Sequence, residues 1–179
     1  MLFKSLAFLV LAVGAAAVPS ISKRGTMTDM KIYAYGVGIN GLPILADSTG
    51  NAYVSTADVQ PANLSSLVWT ISTDGATEWT VAYNSTNSTT TSNGTLYIIP
   101  TTDTYGAVGF GTAPSGAVTT PFYVYGEQVQ YLTDSLLEAQ FWAKTINGTT
   151  ESQIMWNSDG SSQTDSTPVV LKTTGPVTA

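Results

Sequence analysis

The sequence predicts an all-β fold: a single domain of about ten short antiparallel strands, closed as a sandwich or a barrel, with no disulfides. Three observations carry that prediction. Short runs of β-branched and aromatic residues recur along the chain, each bounded by Gly, Asn, Asp or Pro, which is how strands and their turns read. Composition is rich in Thr, Ser, Val, Tyr, Gly and Ala, and only 10% of residues are charged, the bias of a β domain rather than of amphipathic helices. Cysteine is absent, so an apolar core must hold the domain by itself, which a chain of this length can supply.

The elements follow in chain order. Met1 to Ala17 has the three parts of a signal peptide: the positive Lys4, the apolar run Leu6 to Val13, and the small residues Ala15-Ala16-Ala17. Lys23-Arg24 then reads as a dibasic processing site that closes a short propeptide, residues 18–24. Cleavage there leaves a mature domain over residues 25–179. Residues 172–179 carry no hydrophobic tail, which argues against a glycolipid anchor and against membrane insertion. The expected location is outside the cell, in the wall or the surrounding space.

Met30 to Gly36 reads as a strand. Residues 42–56 read as a hairpin, with Pro43 confined to a strand entry or edge and Asp47 to Asn51 as its turn. Leu67 to Ser72 and Glu78 to Tyr83 form a second hairpin about Asp74-Gly75, with Trp69 and Ile71 on one face. Thr95 to Thr101 is a strand cut by Pro100, and Tyr105 to Gly111 is a glycine-rich β connection. Pro121 to Leu132 reads as one long strand with Gly126 as a bulge. Over 135–146 two patterns compete. Ser135-x-x-Glu138 resembles a helix capping box, but Gln140 to Ile146, the Asn147-Gly148 turn and Gln153 to Trp156 make a hairpin, and the hairpin is favoured. Pro168 to Lys172 is the last strand.

Charge limits the partners. Beyond Arg24 the chain keeps only Lys31, Lys144 and Lys172 against twelve acids, a net charge of −9. Phosphate neutralisation, and with it nucleic-acid binding, is excluded. Catalytic chemistry is limited too. With no His and no Cys, Ser-His and Cys-His nucleophiles and imidazole or thiolate metal sites cannot be built. The glycines of 105–111 lack the Lys-Ser/Thr of a phosphate loop. Carboxylates are the remaining acid–base groups, and Asp47, Asp58, Asp103, Glu127 and Glu138 are the candidates for a glycosidase pair. Asp47/Asn51 and Asn157/Asp159 are too sparse for a calcium loop and read as turns. The expectation is therefore a protein with no catalytic residue, no cofactor and no metal.

Two further features mark the surface. Asn63, Asn84, Asn87, Asn93 and Asn147 each open an Asn-x-Ser/Thr sequon, and such acceptors sit on surface segments of secreted glycoproteins. Trp69, Trp79, Trp142 and Trp156 are the candidates for a sugar-stacking face, provided that they are exposed.

Tyr35-Gly36, Gly41-Leu42-Pro43 and the Asp47 to Tyr53 run, Asp-x-x-Gly-x-Ala-Tyr, resemble the opening segment of small secreted β-rich proteins of filamentous fungi. The resemblance implies a secreted, disulfide-free protein with an effector or cell-wall role, and it brings no catalytic residue. The leading expectation is a non-catalytic protein of effector or elicitor type acting through a host or cell-surface protein. The alternatives are a wall-associated or carbohydrate-binding structural glycoprotein, with cell-wall polysaccharide as its partner, and a carboxylate-dependent glycan hydrolase.

Overall fold

The computed structural model describes residues 25–84, 91–101 and 104–177; the leader, Lys23-Arg24, Asn87 and Asp103 lie outside them. Sixteen strands, and no helix, make up the described residues. In order these are β1 (Met27–Met30), β2 (Tyr33–Gly36), β3 (Ile39–Pro43), β4 (Leu45–Ala46), β5 (Ala52–Ser55), β6 (Ser65–Ser66), β7 (Val68–Ile71) and β8 (Thr80–Asn84). There follow β9 (Thr91–Ile98), β10 (Gly106–Gly111), β11 (Phe122–Tyr125), β12 (Gln128–Thr133), β13 (Leu136–Glu138), β14 (Phe141–Thr145), β15 (Glu151–Trp156) and β16 (Ser166–Lys172).

The main sheet runs β1-β7-β8-β9-β10-β15-β14-β16-β12-β11. It folds over at β10, where Gly106 and Ala107 pair with Trp156 and Met155 of β15 while Val108 to Gly111 pair with β9. A strand that serves two sheets must bend, and this one begins on a glycine whose site has no room for a side chain. A Cβ on Gly106 would lie 1.5 Å from the Ile99 carbonyl oxygen, far inside van der Waals contact. The glycine-rich stretch is thus the corner strand of the fold.

The count of about ten strands is corrected to sixteen, because turns divide runs that read as continuous. The run from Pro121 to Leu132 is the clearest case. Gly126 is not a bulge: it forms, with Glu127, the two-residue turn between β11 and β12. Both residues have positive φ, 55° and 72°, as a type I′ hairpin requires. The expected strand 42–46 also divides, into β3 and β4. Pro43 ends β3, which pairs on one side only, with β2, so its missing N–H interrupts no ladder. The other hairpins take the expected partners: β4 with β5, β7 with β8, and β14 with β15. The 135–146 ambiguity resolves to strands, with Leu136 to Glu138 paired against Thr133 to Tyr131. The tertiary ladder outweighs the local helix propensity of Leu-Leu-Glu-Ala.

One core fills the space between the two halves of the sheet. Trp69 and Ile71 enter it from β7, and Phe141, Ile154, Trp156 and Leu171 from β14, β15 and β16. A chain of ring contacts crosses it: Trp79 to Phe122 at 5.8 Å, Phe122 to Tyr131 at 5.5 Å, Tyr131 to Trp156 at 5.8 Å and Trp156 to Phe141 at 4.9 Å. Each such pair stabilises by about 0.5–1.5 kcal/mol beyond its buried area.

The tryptophan face expected from sequence is therefore corrected. Trp69, Trp79 and Trp156 are at most 2% exposed and Trp142 is 6% exposed. Trp142 lies on the opposite face of β14 from Phe141, packed against Tyr105 at 6.1 Å. Rings this enclosed offer no surface to a sugar. Their size decides the outcome: the core of a disulfide-free domain needs their area more than the surface can use it.

Candidate binding groove

The main run of the sheet ends in two strands that pair on one side only. These are β1, paired only with β7, and β11, paired only with β12. Between them runs a groove of about 490 Å³. Met27 on the β1 side and Tyr123 and Val124 on the β11 side give it apolar walls, while Thr26, Thr73 and Thr173 add hydroxyls and Glu127 a carboxylate.

The register shows what β11 presents to the groove. A two-residue hairpin makes Tyr125 and Gln128, which flank the turn, a hydrogen-bonded pair, so Val124 and Val129 form the next, non-bonded pair. The N–H and C=O of Val124 then point away from β12, towards the groove. The bond from Leu132 N to the Pro121 carbonyl at 3.0 Å sits at the bonded position this alternation demands.

Glu127 is held at the groove mouth by its backbone. Its carbonyl accepts the Thr173 amide at 3.0 Å and the Thr173 hydroxyl at 3.4 Å. The other described non-glycine residues with positive φ are all aspartates, Asp29, Asp134 and Asp165, a residue type that tolerates the left-handed region. Glu127 does not share that tolerance, and a strained residue lining a groove directs attention to function.

Glu127 also lines a second hollow, of about 380 Å³, with Tyr35, Asn40, Lys172 and the segment 174–177. There the Lys172 ammonium lies 5.3 Å above the Tyr35 ring, and the Tyr35 hydroxyl donates to the Thr174 carbonyl at 2.9 Å. A smaller hollow of about 200 Å³ holds Glu151 among threonines. The Glu151 carboxylate accepts the Asn63 amide at 3.3 Å, and Thr149, the third residue of the Asn147 sequon, lines the same hollow.

Among Asp47, Asp58, Glu127 and Glu138, none shares one of these hollows with another. Asp47 is tied into its turn, accepting the Thr49 amide and hydroxyl at 2.8 Å each, the Asn51 amide at 2.9 Å and the Asn51 side chain at 3.2 Å. Partial burial pushes its carboxyl up, and the bonds from Thr49 and Asn51 outweigh that and hold it below the usual range. Burial, and then the charge of Asp47, raise the Tyr53 phenol. Asp58 is exposed on a loop, and Glu138 accepts the Thr133 hydroxyl at 3.0 Å. Each of the three hollows is lined by a single carboxylate. Asn157 is fully buried and bonds Ser161 and the Asp159 amide, the turn role expected of it.

Of the sequons, Asn63, Asn93 and Asn147 are exposed. Asn84 ends β8, and Asn87 is outside the described residues. None of Asn63, Asn93 and Asn147 lines the two hollows that share Glu127.

Sequence reasoning named Glu127 only as one acid among several, and it missed Met27, Tyr123 and Val124. The signal for the hairpin was present, since Tyr-Gly-Glu-Gln places a glycine at a turn position inside an aromatic run. The signal for the groove was not, because β1 and β11 lie far apart in the chain. Comparison with family models, with curated proteins and with solved structures finds no match.

Proposed function

We propose that the mature domain is a secreted, non-catalytic recognition module that works through a protein partner, taking an extended segment of that partner against the free edge of β11. The observation that carries this reading is the apolar groove bounded by two unpaired strand edges. Extended peptides bind such edges by main-chain hydrogen bonds, with side-chain pockets supplying specificity. Three findings support it. The tryptophans that a sugar-binding face would use are in the core. None of the three hollows among the described residues pairs two carboxylates as a glycosidase needs. Asn63, bonded to Glu151, and Thr149 of the Asn147 sequon mark the Glu151 hollow rather than the seam, so glycans on Asn63 and Asn147 would leave the groove open.

A wall-polysaccharide role retains one observation in its favour. Tyr125, beside the Gly126–Glu127 turn, is 70% exposed, and a tyrosine ring can stack on a sugar.

The two readings separate in one experiment. The secreted protein is panned against a displayed peptide library and, in parallel, incubated with insoluble chitin, β-glucan and cellulose. Selected peptides that slow hydrogen exchange at the Val124 amide, and that are lost in both Val124→Pro and Tyr123→Ala, support the protein-partner reading. Retention on a polysaccharide that is competed by soluble sugar and lost in Tyr125→Ala replaces it with the wall-module reading.

A further inference from the structure

Gly25, the residue that follows Lys23-Arg24, lines the seam groove together with Glu127. Its carbonyl accepts the Thr73 hydroxyl at 3.3 Å, which fixes the start of the domain against the loop after β7. The residues packed around it, Thr26, Met27, Thr73, Tyr123, Val124 and Thr173, bring no charge to the groove, and Glu127 brings the one negative charge. Lys172 lies beyond Glu127, over the Tyr35 ring.

We propose that Arg24–Gly25 is a processing bond whose cleavage completes the groove by giving Gly25 an α-ammonium that pairs with the Glu127 carboxylate. Water adds across the peptide bond, the new carboxylate leaves on Arg24, and the amine remains on Gly25 and takes up a proton. The unprocessed chain has at this point an uncharged amide, which can donate a hydrogen bond but cannot form an ion pair with Glu127. The mature groove therefore differs from the precursor groove in charge as well as in access. The strained backbone of Glu127 has a reason on this account, since the left-handed turn places its side chain at the mouth that Gly25 also lines. The inference does not depend on what the groove binds.

The test uses the full chain, secreted from a yeast host, as the wild type and as Lys23→Gln/Arg24→Gln, each with and without Glu127→Gln. Intact mass and N-terminal sequencing of the wild type are expected to give Gly25 as the first residue. The uncleaved variant is expected to melt about 1–4 °C below the processed protein, the scale of one partly solvated ion pair in a domain of this size. That gap is expected to close in the Glu127→Gln background and to shrink in high salt. Selective Nα-acetylation of the purified wild type should reproduce the loss without any added residues. A secreted wild type that still carries Lys23-Arg24, or a melting gap of the same size with and without Glu127→Gln, overturns the proposal.

Discussion

Two buried tryptophans show how single atoms set cost. The Trp79 Nε1 donates to the Ser72 carbonyl at 2.7 Å in the interior, whereas the Trp69 Nε1 is buried with no partner among the described residues. Trp79→Phe removes a satisfied bond and orphans a buried carbonyl; Trp69→Phe removes a donor that already bears its desolvation cost. Trp79→Phe should therefore destabilise by about 1 kcal/mol more than Trp69→Phe, read from paired denaturant melts. Asp74 gives a pH-dependent prediction. Its carboxylate accepts the Thr77 amide and hydroxyl at 2.8 Å each and the Ala76 amide at 2.9 Å, and chiefly the bonds from Thr77 lower its pKa from 3.8 to about 2. A depressed folded value means that the contribution is fully present above the unfolded pKa and fades as pH falls from about 4 towards 2. Asp74→Asn should lower stability at neutral pH by an amount that disappears near pH 2, measured by urea unfolding across that range. The aspartate turns were legible in the sequence, because an Asp followed by small polar residues bonds its own backbone. The partner of an indole N–H was not, because it depends on which carbonyl the fold brings near.

The strands carry two predictions that pull in different directions. Gly106→Ala should destabilise by about 1–3 kcal/mol or more, since its Cβ would meet the backbone oxygen of Ile99 rather than a movable side chain. Circular dichroism melts would show this, and a loss below about 0.5 kcal/mol would mean that β10 can bend elsewhere. In the uncleaved Lys23→Gln/Arg24→Gln chain, where no Gly25 ammonium is present to lose its partner, Glu127→Asn should do the reverse and stabilise by about 0.5–1 kcal/mol, because asparagine accepts the left-handed turn position at lower cost. The same change removes the carboxylate at the groove mouth, so gained stability accompanied by weaker peptide binding would mark Glu127 as a residue retained for function. The hairpins themselves were readable from local chemistry, as the pairs β7–β8 and β14–β15 show. The division at Gly126–Glu127 was missed because a glycine in an aromatic run fits a bulge and a turn equally well by sequence.

At the scale of the whole molecule the domain stands on one core with no covalent ties. Reducing agent should leave its melting temperature unchanged, since no cysteine exists to respond. By itself the sequence determined the class and its limits. Alternating apolar patterns and turn residues act over a few positions, so they specified an all-β chain and several hairpins; the absence of His and Cys excluded whole chemistries outright. The tertiary structure alone decided where the aromatics go, how β10 joins the two halves, and that β1 and β11 end as facing edges. Those outcomes depend on contacts between segments distant in the chain. Trp69 and Trp156 read alike as surface platform or core until the opposite sheet covers them, and Glu127 gains a groove only when the first and eleventh strands meet across the seam.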